Sequence, residues 1–207
     1  MHGYWHIYMK NHWYGIVHNQ LRIMLQSGLY DAVEKINLSI GNASDEELQV
    51  LQKHFIELYP KLVFRVAHYK GDEQFEFPAI EAIYKDSLKH TFKGFYIHTK
   101  GATKPNWKAD HWREAMNEYV INRWREHVAA LDTHDLSGIN YLKDWTHPHF
   151  SGNFFWFNST YARKWEDIKT LNWANRYAAE AIVCSQSPKV NNLAWITTND
   201  QAAPFKI

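Results

Sequence analysis

The chain has 207 residues, of which 45% are hydrophobic, 16% aromatic and 22% charged. This composition excludes a disordered chain and a disulfide miniprotein, and it predicts one globular domain with a sizeable core. Lysine and arginine number 23 against 22 acidic residues, so the formal net charge is +1. A nearly neutral chain has no overall field to hold a polyanion, and we therefore expect no nucleic-acid partner.

The single cysteine and the first residues of the chain bear on the compartment. Cys184 is the only cysteine, which excludes an internal disulfide and a thiolate zinc site and fits a reducing compartment. The first ten residues lack a secretory apolar segment, and no stretch approaches the ~18 apolar residues of a membrane span. We expect a cytoplasmic protein without a membrane span.

Strand and helix patterns alternate in the first half of the chain. A helical apolar stripe ends at Gly28, Ser44 and Glu47 form a capping box, and Pro78 suits the first turn of a further helix. The helix after Ser44 is expected to bury Leu58, and the helix at Pro78 to bury Leu88. The strands predicted in this half cover residues 4–9, 36–40 and 62–68.

The second half contains a short, wholly apolar strand over residues 95–97, which is typical of a central strand covered on both faces. A long helix is predicted over 106–131, an aromatic strand over 150–157 and a last strand over 194–197. The chain is therefore predicted to be one α/β domain with a mixed, mostly parallel central sheet flanked by helices. Ligands of such sheets bind beyond the carboxyl ends of the strands.

The first candidate site follows the central strand and consists of His98, Thr99, Lys100 and Gly101. Lysine neutralises phosphate oxygens as a point charge, and glycine lets backbone N–H groups approach them, so the segment suits a diphosphate. His98 adds a potential metal ligand. The alternative is an ordinary turn with an exposed lysine.

Asp110 and Arg113 lie in the first turns of the long helix, where an arginine can bind a phosphate or carboxylate. Alternatively, Asp110 complements the helix dipole, and Arg113 pairs with Glu114 or Glu118. Glu180 lies among small and apolar residues, where burial would raise its pKa towards that of a general base. Its alternative is an exposed ion pair with Arg176 at i,i+4.

The segment from His147 to Trp156 offers two further readings. His147 and His149 alternate and can present both imidazoles to a metal, although the chain contains 13 histidines and such spacing arises by chance. Residues 151–153, followed by an aromatic run, can bind a sugar. The alternative is a core strand with a bulge at Gly152.

In order along the chain, these segments resemble small GT-A-type glycosyltransferase domains of bacterial polysaccharide loci and of large DNA viruses of algae. The resemblance spans nearly the whole chain and is greatest to the chlorella-virus-encoded members. The residues that carry it are His6, Ile7, Tyr8, Asn11, Trp13, Gln20, residues 27–30, Phe77, Pro78, residues 96–101, Trp112, Arg113, Met116, residues 149–154, Arg176, Tyr177 and Glu180.

The resemblance implies a single GT-A-like, Rossmann-like nucleotide-binding domain over residues 1–207, with a nucleotide-binding half over about 1–104 and an acceptor half over about 105–207. It implies a nucleotide-sugar donor, such as UDP-glucose, and an oligosaccharide or glycoprotein acceptor in capsid or surface glycan synthesis. A viral chain would act in the host cytoplasm. Since residues 201–207 end without a capping signal, a first domain of a longer polypeptide is also compatible with the sequence.

The resemblance also implies roles for individual residues. Glu180 matches the base of inverting members, and the residues implied to bind the donor nucleotide and diphosphate are His6, Tyr8, Asn11, His98, Thr99, Lys100, Gly101 and Arg113. The residues implied to bind the sugar or the acceptor are Ser151, Gly152, Asn153 and Trp156.

The family's Asp-x-Asp motif, which binds metal and diphosphate at the end of a central strand, is absent from the chain. His98, Thr99 and Lys100 occupy its position. The expected cofactor is therefore a divalent ion, Mn²⁺ or Mg²⁺, held by His98 and Asp110, or else Lys100 and Arg113 supply the positive charge in its place.

Two rival functions use the same residues differently. A non-catalytic carbohydrate-binding domain would use the aromatic residues, which include 10 tryptophans and 12 tyrosines, and would bind no nucleotide. A metal-dependent hydrolase would use His98, His147 and His149 as ligands, and it would bind metal without nucleotide.

Overall fold

The computed structural model describes residues 1–72, 74–103, 107–143, 146–175 and 177–196, which form a Rossmann-like α/β domain. Its strands are β1 (His2–Tyr8), β2 (Lys35–Ala43), β3 (Leu62–Tyr69), β4 (Lys93–His98), β5 (Leu136–Gly138), β6 (Tyr141–Leu142), β7 (His149–Phe150), β8 (Phe155–Asn158) and β9 (Val190–Asn192). Its α-helices are α1 (Trp13–Ser27), α2 (Leu29–Ala32), α3 (Asp45–Leu51), α4 (Phe77–Lys89), α5 (Trp107–Met116), α6 (Trp124–Ala130), α7 (Ser159–Ala162) and α8 (Ala178–Ala181).

The central sheet has seven strands in the order β3-β2-β1-β4-β8-β5-β9, and β6 pairs with β7 in a separate two-stranded sheet. Strands β1, β2, β3 and β4 run parallel to one another, whereas β8 runs antiparallel to β4 and β5. This confirms the predicted mixed, mostly parallel sheet. After β3 the chain returns through α4 to the other side of β1, so the strand order reverses between β1 and β4.

The two faces of the sheet differ in chemistry. In β1, Trp5 and Ile7 enter an apolar core with α1 and α5, while Tyr4 and His6 lie on the opposite face. The same alternation in β4 places Ile97 with the first set. The second face packs against α4. Most of the polar side chains that the sheet buries lie on this face.

Local signals in the sequence set the helix ends as predicted. Gly28 takes the left-handed conformation at φ 76° after α1, which costs glycine little because it lacks a Cβ. The Ser44 hydroxyl accepts a hydrogen bond from the Glu47 N–H at 3.3 Å and caps α3. Pro78 occupies the first turn of α4.

Some predicted boundaries and burial patterns are wrong. Leu58 is 65% exposed and Leu88 is 55% exposed. For Leu58 the physical reason is a π-helical segment, Gln52–Ile56, which follows α3 and shifts the side-chain register that a regular α-helix would keep. The helix predicted over 106–131 is two helices, α5 and α6, joined by a second π-helical segment, Asn117–Asn122.

The aromatic strand predicted over 150–157 is also divided. It forms β7 and β8 with a turn between them, because Gly152 and Asn153 have φ angles of 90° and 54°. The last strand is β9 rather than residues 194–197, and Thr197 lies outside the described residues. None of the described helices has the length and apolar character needed to cross a membrane.

Candidate functional site

The candidate site lies where the strand order reverses, at the carboxyl ends of β1 and β4. His6 and His98 stand opposite each other in the register of these two strands, so their side chains share the face that packs against α4. Both are buried, at 4% and 9% exposure. Ligands of α/β sheets bind beyond this edge, at the point of reversal.

Glu76, immediately before α4, holds the site together. Its Oε2 accepts hydrogen bonds from Tyr96 Oη at 2.8 Å and from Asn153 Nδ2 at 2.5 Å, and its Oε1 lies 3.7 Å from Nδ1 of His98. Burial opposes the charge, but the two imidazoles and these hydrogen bonds hold the pKa of Glu76 below its ordinary value. Its place before the first turn of α4 also favours a negative charge.

Glu76 could not be singled out in the sequence, because a single acidic residue before a helix is an ordinary feature. Another signal was present in the strands. Tyr4 and His6 alternate with apolar residues in β1, and Tyr96 and His98 do so in β4. Polar side chains buried on one face need hydrogen-bond partners, so this alternation calls for a polar residue on the element that covers the face.

His98 is fixed by two contacts. Its Nε2 lies 2.9 Å from the carbonyl oxygen of Gly152, and since a carbonyl only accepts, Nε2 carries the hydrogen. Nδ1 therefore faces Glu76. Burial lowers the pKa of His98, the charge of Glu76 acts in the opposite direction, and the ammonium of Lys100 lowers it further.

His6 is a buried, neutral imidazole beside His98. Burial lowers the pKa of His6 to about 4, against the raising effect of Glu76. Within the described residues its Nδ1 has no hydrogen-bond partner. Gly41 of β2 allows the rings of His6 and Tyr8 to approach, since a Cβ there would lie 3.2 Å from His6 Cε1 and 3.1 Å from Tyr8 Cδ2.

The segment from His98 to Gly101 begins at this edge and is braced from inside. Thr99 Oγ1 accepts a hydrogen bond from the Tyr8 N–H at 2.9 Å and thereby joins the ends of β1 and β4. Gly101 has φ 86°, and a Cβ on it would lie 2.9 Å from Nη1 of Arg113. Lys100 is only partly buried, so its side chain is the cation of this segment that reaches solvent.

Arg113 and Asp110 stabilise this loop. The guanidinium of Arg113 is buried and donates to the Lys100 carbonyl and to Asp110, both at 2.8 Å. Nη1 of Arg113 is thus used within the protein, whereas a contact between its other N–H groups and a donor phosphate stays a prediction. Asn11 has a similar bracing role, since its Nδ2 donates to the Thr103 carbonyl at 2.7 Å.

The residues predicted to hold a divalent ion do not fit one. His98 is engaged with Gly152 and Glu76, and Asp110 with Arg113. Across the part of the chain that the structure describes, no three His, Cys, Asp or Glu side chains come together as metal ligands. The alternative hydrolase would need His98, His147 and His149 as metal ligands, and these three side chains do not come together in the described residues either.

The turn between β7 and β8 brings the predicted sugar-binding segment into the site. The Ser151 N–H donates to the Asn140 carbonyl at 3.0 Å, and Gly152 and Asn153 contact His98 and Glu76 as described. Gly152 must lack a side chain, because a Cβ would lie 2.5 Å from Met116 Sδ.

Trp156 does not belong to the site. It is fully buried in the apolar core, and its Nε1 donates to the Val120 carbonyl at 2.9 Å. Strand β8 presents it to the face opposite Glu76, so it offers no surface for a sugar. The core-strand alternative is therefore correct for this residue, and the assignment of Trp156 to sugar or acceptor binding is wrong.

Glu180 lies on α8 and is partly buried. Burial raises the pKa of Tyr96 well above its ordinary value, and the charges of Glu76 and, to a smaller extent, Glu180 raise it further. Arg176, the alternative partner of Glu180, lies outside the described residues.

A comparison with family models gives one match. A model described as a domain of unknown function, DUF8361, matches residues 4–193 and so includes every element of the site. No curated protein matches the chain.

Proposed function

The chain belongs to the DUF8361 family, and for it we propose a glycosyltransferase that moves a sugar from a nucleotide-sugar donor to a hydroxyl of a glycan acceptor. One observation carries this proposal. Distant segments that bear the resemblance to GT-A-type domains meet at Glu76: the end of β4 through His98, and the turn after β7 through Asn153. The charge of Glu180 on α8 acts on Tyr96, which donates a hydrogen bond to Glu76. Their convergence at the strand reversal supports a shared ligand site.

Lys100 serves the donor end of the proposed reaction. When the bond between the anomeric carbon and the diphosphate oxygen breaks, negative charge develops on the departing diphosphate, and a nearby cation lowers that barrier. Lys100 is partly exposed, and its backbone carbonyl is held by Arg113, which fixes the loop from which the ammonium extends. No step of the proposed reaction uses a metal ion, because the predicted ligands His98 and Asp110 already contact other groups of the protein.

Glu180 serves the acceptor end. In an inverting reaction it accepts the proton of the acceptor hydroxyl while the hydroxyl oxygen forms its bond to the anomeric carbon, a contribution of about two to four decades in rate. Glu76 is poorly suited to this role because its Oε2 already accepts two hydrogen bonds. We assign Glu76 to positioning of His98 and Asn153, which form the floor of the site.

Calorimetric titration with UDP, GDP and CMP, each with and without Mn²⁺, tests the proposal. We expect saturable binding of one nucleotide, with UDP the first candidate, and UDP-glucose is then the first donor to test in a transfer assay. Binding of no nucleotide under any condition would overturn the proposal and leave a non-catalytic carbohydrate-binding domain as the better account.

A further inference from the structure

A cavity of about 570 Å³ lies against α8, the helix that carries Glu180. Its walls come from the hairpin of β6 and β7, from α8 and from the 3₁₀ segment Ile182–Cys184 that follows α8. Cavities of this volume are in the range that holds small-molecule ligands. None of the roles assigned above uses this cavity.

Helix α8 contributes one of its faces to the cavity. Ala178 and Ala181 both line the cavity, and residues three apart share one face of a helix. Glu180 does not line the cavity and extends from a different face of the same helix. One turn of helix therefore has the cavity on one side and the proposed base on the other.

The lining of the cavity matches a neutral ring that has both apolar and polar surfaces. The alanines leave space, while Tyr141 and His147 are the two aromatic residues of the lining. Burial and the neighbouring His149 lower the pKa of His147, so its ring is neutral at pH 7. Lys143 and Glu166 are exposed at the rim with opposite charges, so they provide hydrogen bonds without a net charge that would select an ion.

We propose that this cavity binds a neutral hexopyranose unit of the acceptor glycan, at a distance from the hydroxyl that reacts. The inference rests on the proposed transferase function and adds the location of acceptor recognition. Sugar C–H faces pack on ring faces, and sugar hydroxyls use the rim groups. Binding energy from a non-reacting unit of a substrate can be used to position the reacting group, which here would be the hydroxyl beside Glu180.

The test is an NMR titration of the ¹⁵N-labelled full chain with the methyl glycosides of glucose, galactose, mannose and rhamnose, followed by UDP in the same samples. We expect saturable shifts in α8 and in the β6–β7 hairpin with at least one glycoside. Ala181→Trp, which fills the cavity, should weaken that binding at least tenfold, whereas Ala129→Trp, at an exposed position of α6, should not change it.

A second variant tests the same cavity in case Ala181→Trp does not fold. Removal of the rim groups in a Lys143→Ala, Glu166→Ala double variant changes only exposed side chains and should weaken the same binding severalfold. Saturable binding of UDP without any glycoside shift at the cavity would overturn this inference and leave the transferase proposal standing. Glycoside binding at the cavity without nucleotide binding would support the saccharide site and overturn the transferase proposal.

Discussion

His98 and Glu76 face each other at the centre of the site, with His98 Nδ1 3.7 Å from Glu76 Oε1. Because the opposite nitrogen of His98 donates to the Gly152 carbonyl, the lone pair of Nδ1 is the one that faces the carboxylate. A proton bound there would bridge the two groups. The charge of Glu76 therefore affects the protonation of His98. His98 is also hydrogen-bonded to the turn at Gly152, so the turn is linked to the same pair.

Glu76→Gln should lower the free energy of unfolding by about 2–4 kcal/mol. The amide oxygen can still accept from Tyr96 and Asn153, but two buried charge-assisted hydrogen bonds become neutral ones, which are about half as strong. Urea denaturation measures the change. Glu57→Gln, at an exposed position, is the matched control and should stay within about 0.5 kcal/mol. Equal stabilities of the two variants would contradict the central role of Glu76.

Stability should fall as the pH decreases from about 6.5 to 4. Burial lowers the pKa of both His6 and His127 to about 4, whereas an unfolded chain binds these protons near pH 6.5. Between these values the unfolded state binds more protons, so stability rises with pH, by roughly 3 kcal/mol for each residue over the whole interval.

Urea midpoints at half-unit pH steps measure this dependence. His127→Gln should reduce the slope between pH 6.5 and 4 while leaving the candidate site intact, because His127 bonds to Ser137 and Tyr119 in the core. An unchanged slope in both His6→Gln and His127→Gln would mean that other groups cause the acid sensitivity.

Lys100→Ala should weaken the binding of the nucleotide diphosphate by at least tenfold, because one phosphate contact by a cation is lost. Lys85→Ala, which removes the exposed lysine of an ion pair with Glu81 on α4, is the matched control and should bind like the wild type. Calorimetry measures both. Equal affinities of Lys100→Ala and wild type would remove Lys100 from the donor site.

Glu180→Gln should leave nucleotide affinity unchanged and lower the transfer rate by about 10²–10⁴-fold, the contribution of a general base. The isosteric amide keeps the volume of the side chain but cannot accept the proton. Single-turnover transfer to a glycan acceptor, measured beside a nucleotide titration, separates the two effects. Undiminished transfer would show that another group accepts the proton.

Gly152→Ala should destabilise the protein by about 2 kcal/mol or more. Its φ of 90° is unfavourable for alanine, and the new Cβ would lie 2.5 Å from Met116 Sδ and 2.6 Å from Trp112 Nε1. Gly15→Ala in α1 is the opposite case, because a Cβ there has no neighbour within 4 Å. Alanine should stabilise that helix by about 0.5–1 kcal/mol. Thermal unfolding should therefore give a lower Tm for Gly152→Ala and a higher Tm for Gly15→Ala.

The order of strands and helices could be predicted because its signals are local. Gly28, Ser44 and Pro78 act within one turn of helix, and the apolar run before His98 identifies a buried strand. The interruptions could not be predicted, since π-helical segments keep the composition of an α-helix while changing its register.

The candidate site was predictable only in part, because its contacts join distant segments. His98 and Asn153 stood out through neighbouring residues, but their common partner, Glu76, is recognised only when α4 packs on the sheet. Arg113 shows the converse. Its place in a helix suggested a phosphate ligand, and tertiary packing directed it into the loop that it supports.

Strand β1 alternates between two environments along its length, with Trp5 and Ile7 on one side and Tyr4 and His6 on the other. Deletion of one residue within β1 would exchange these sets, moving an imidazole into the apolar layer and an indole beneath α4. Substitutions at single positions could not repair that exchange. We expect this strand to tolerate changes of residue type within each side far better than any change in its length.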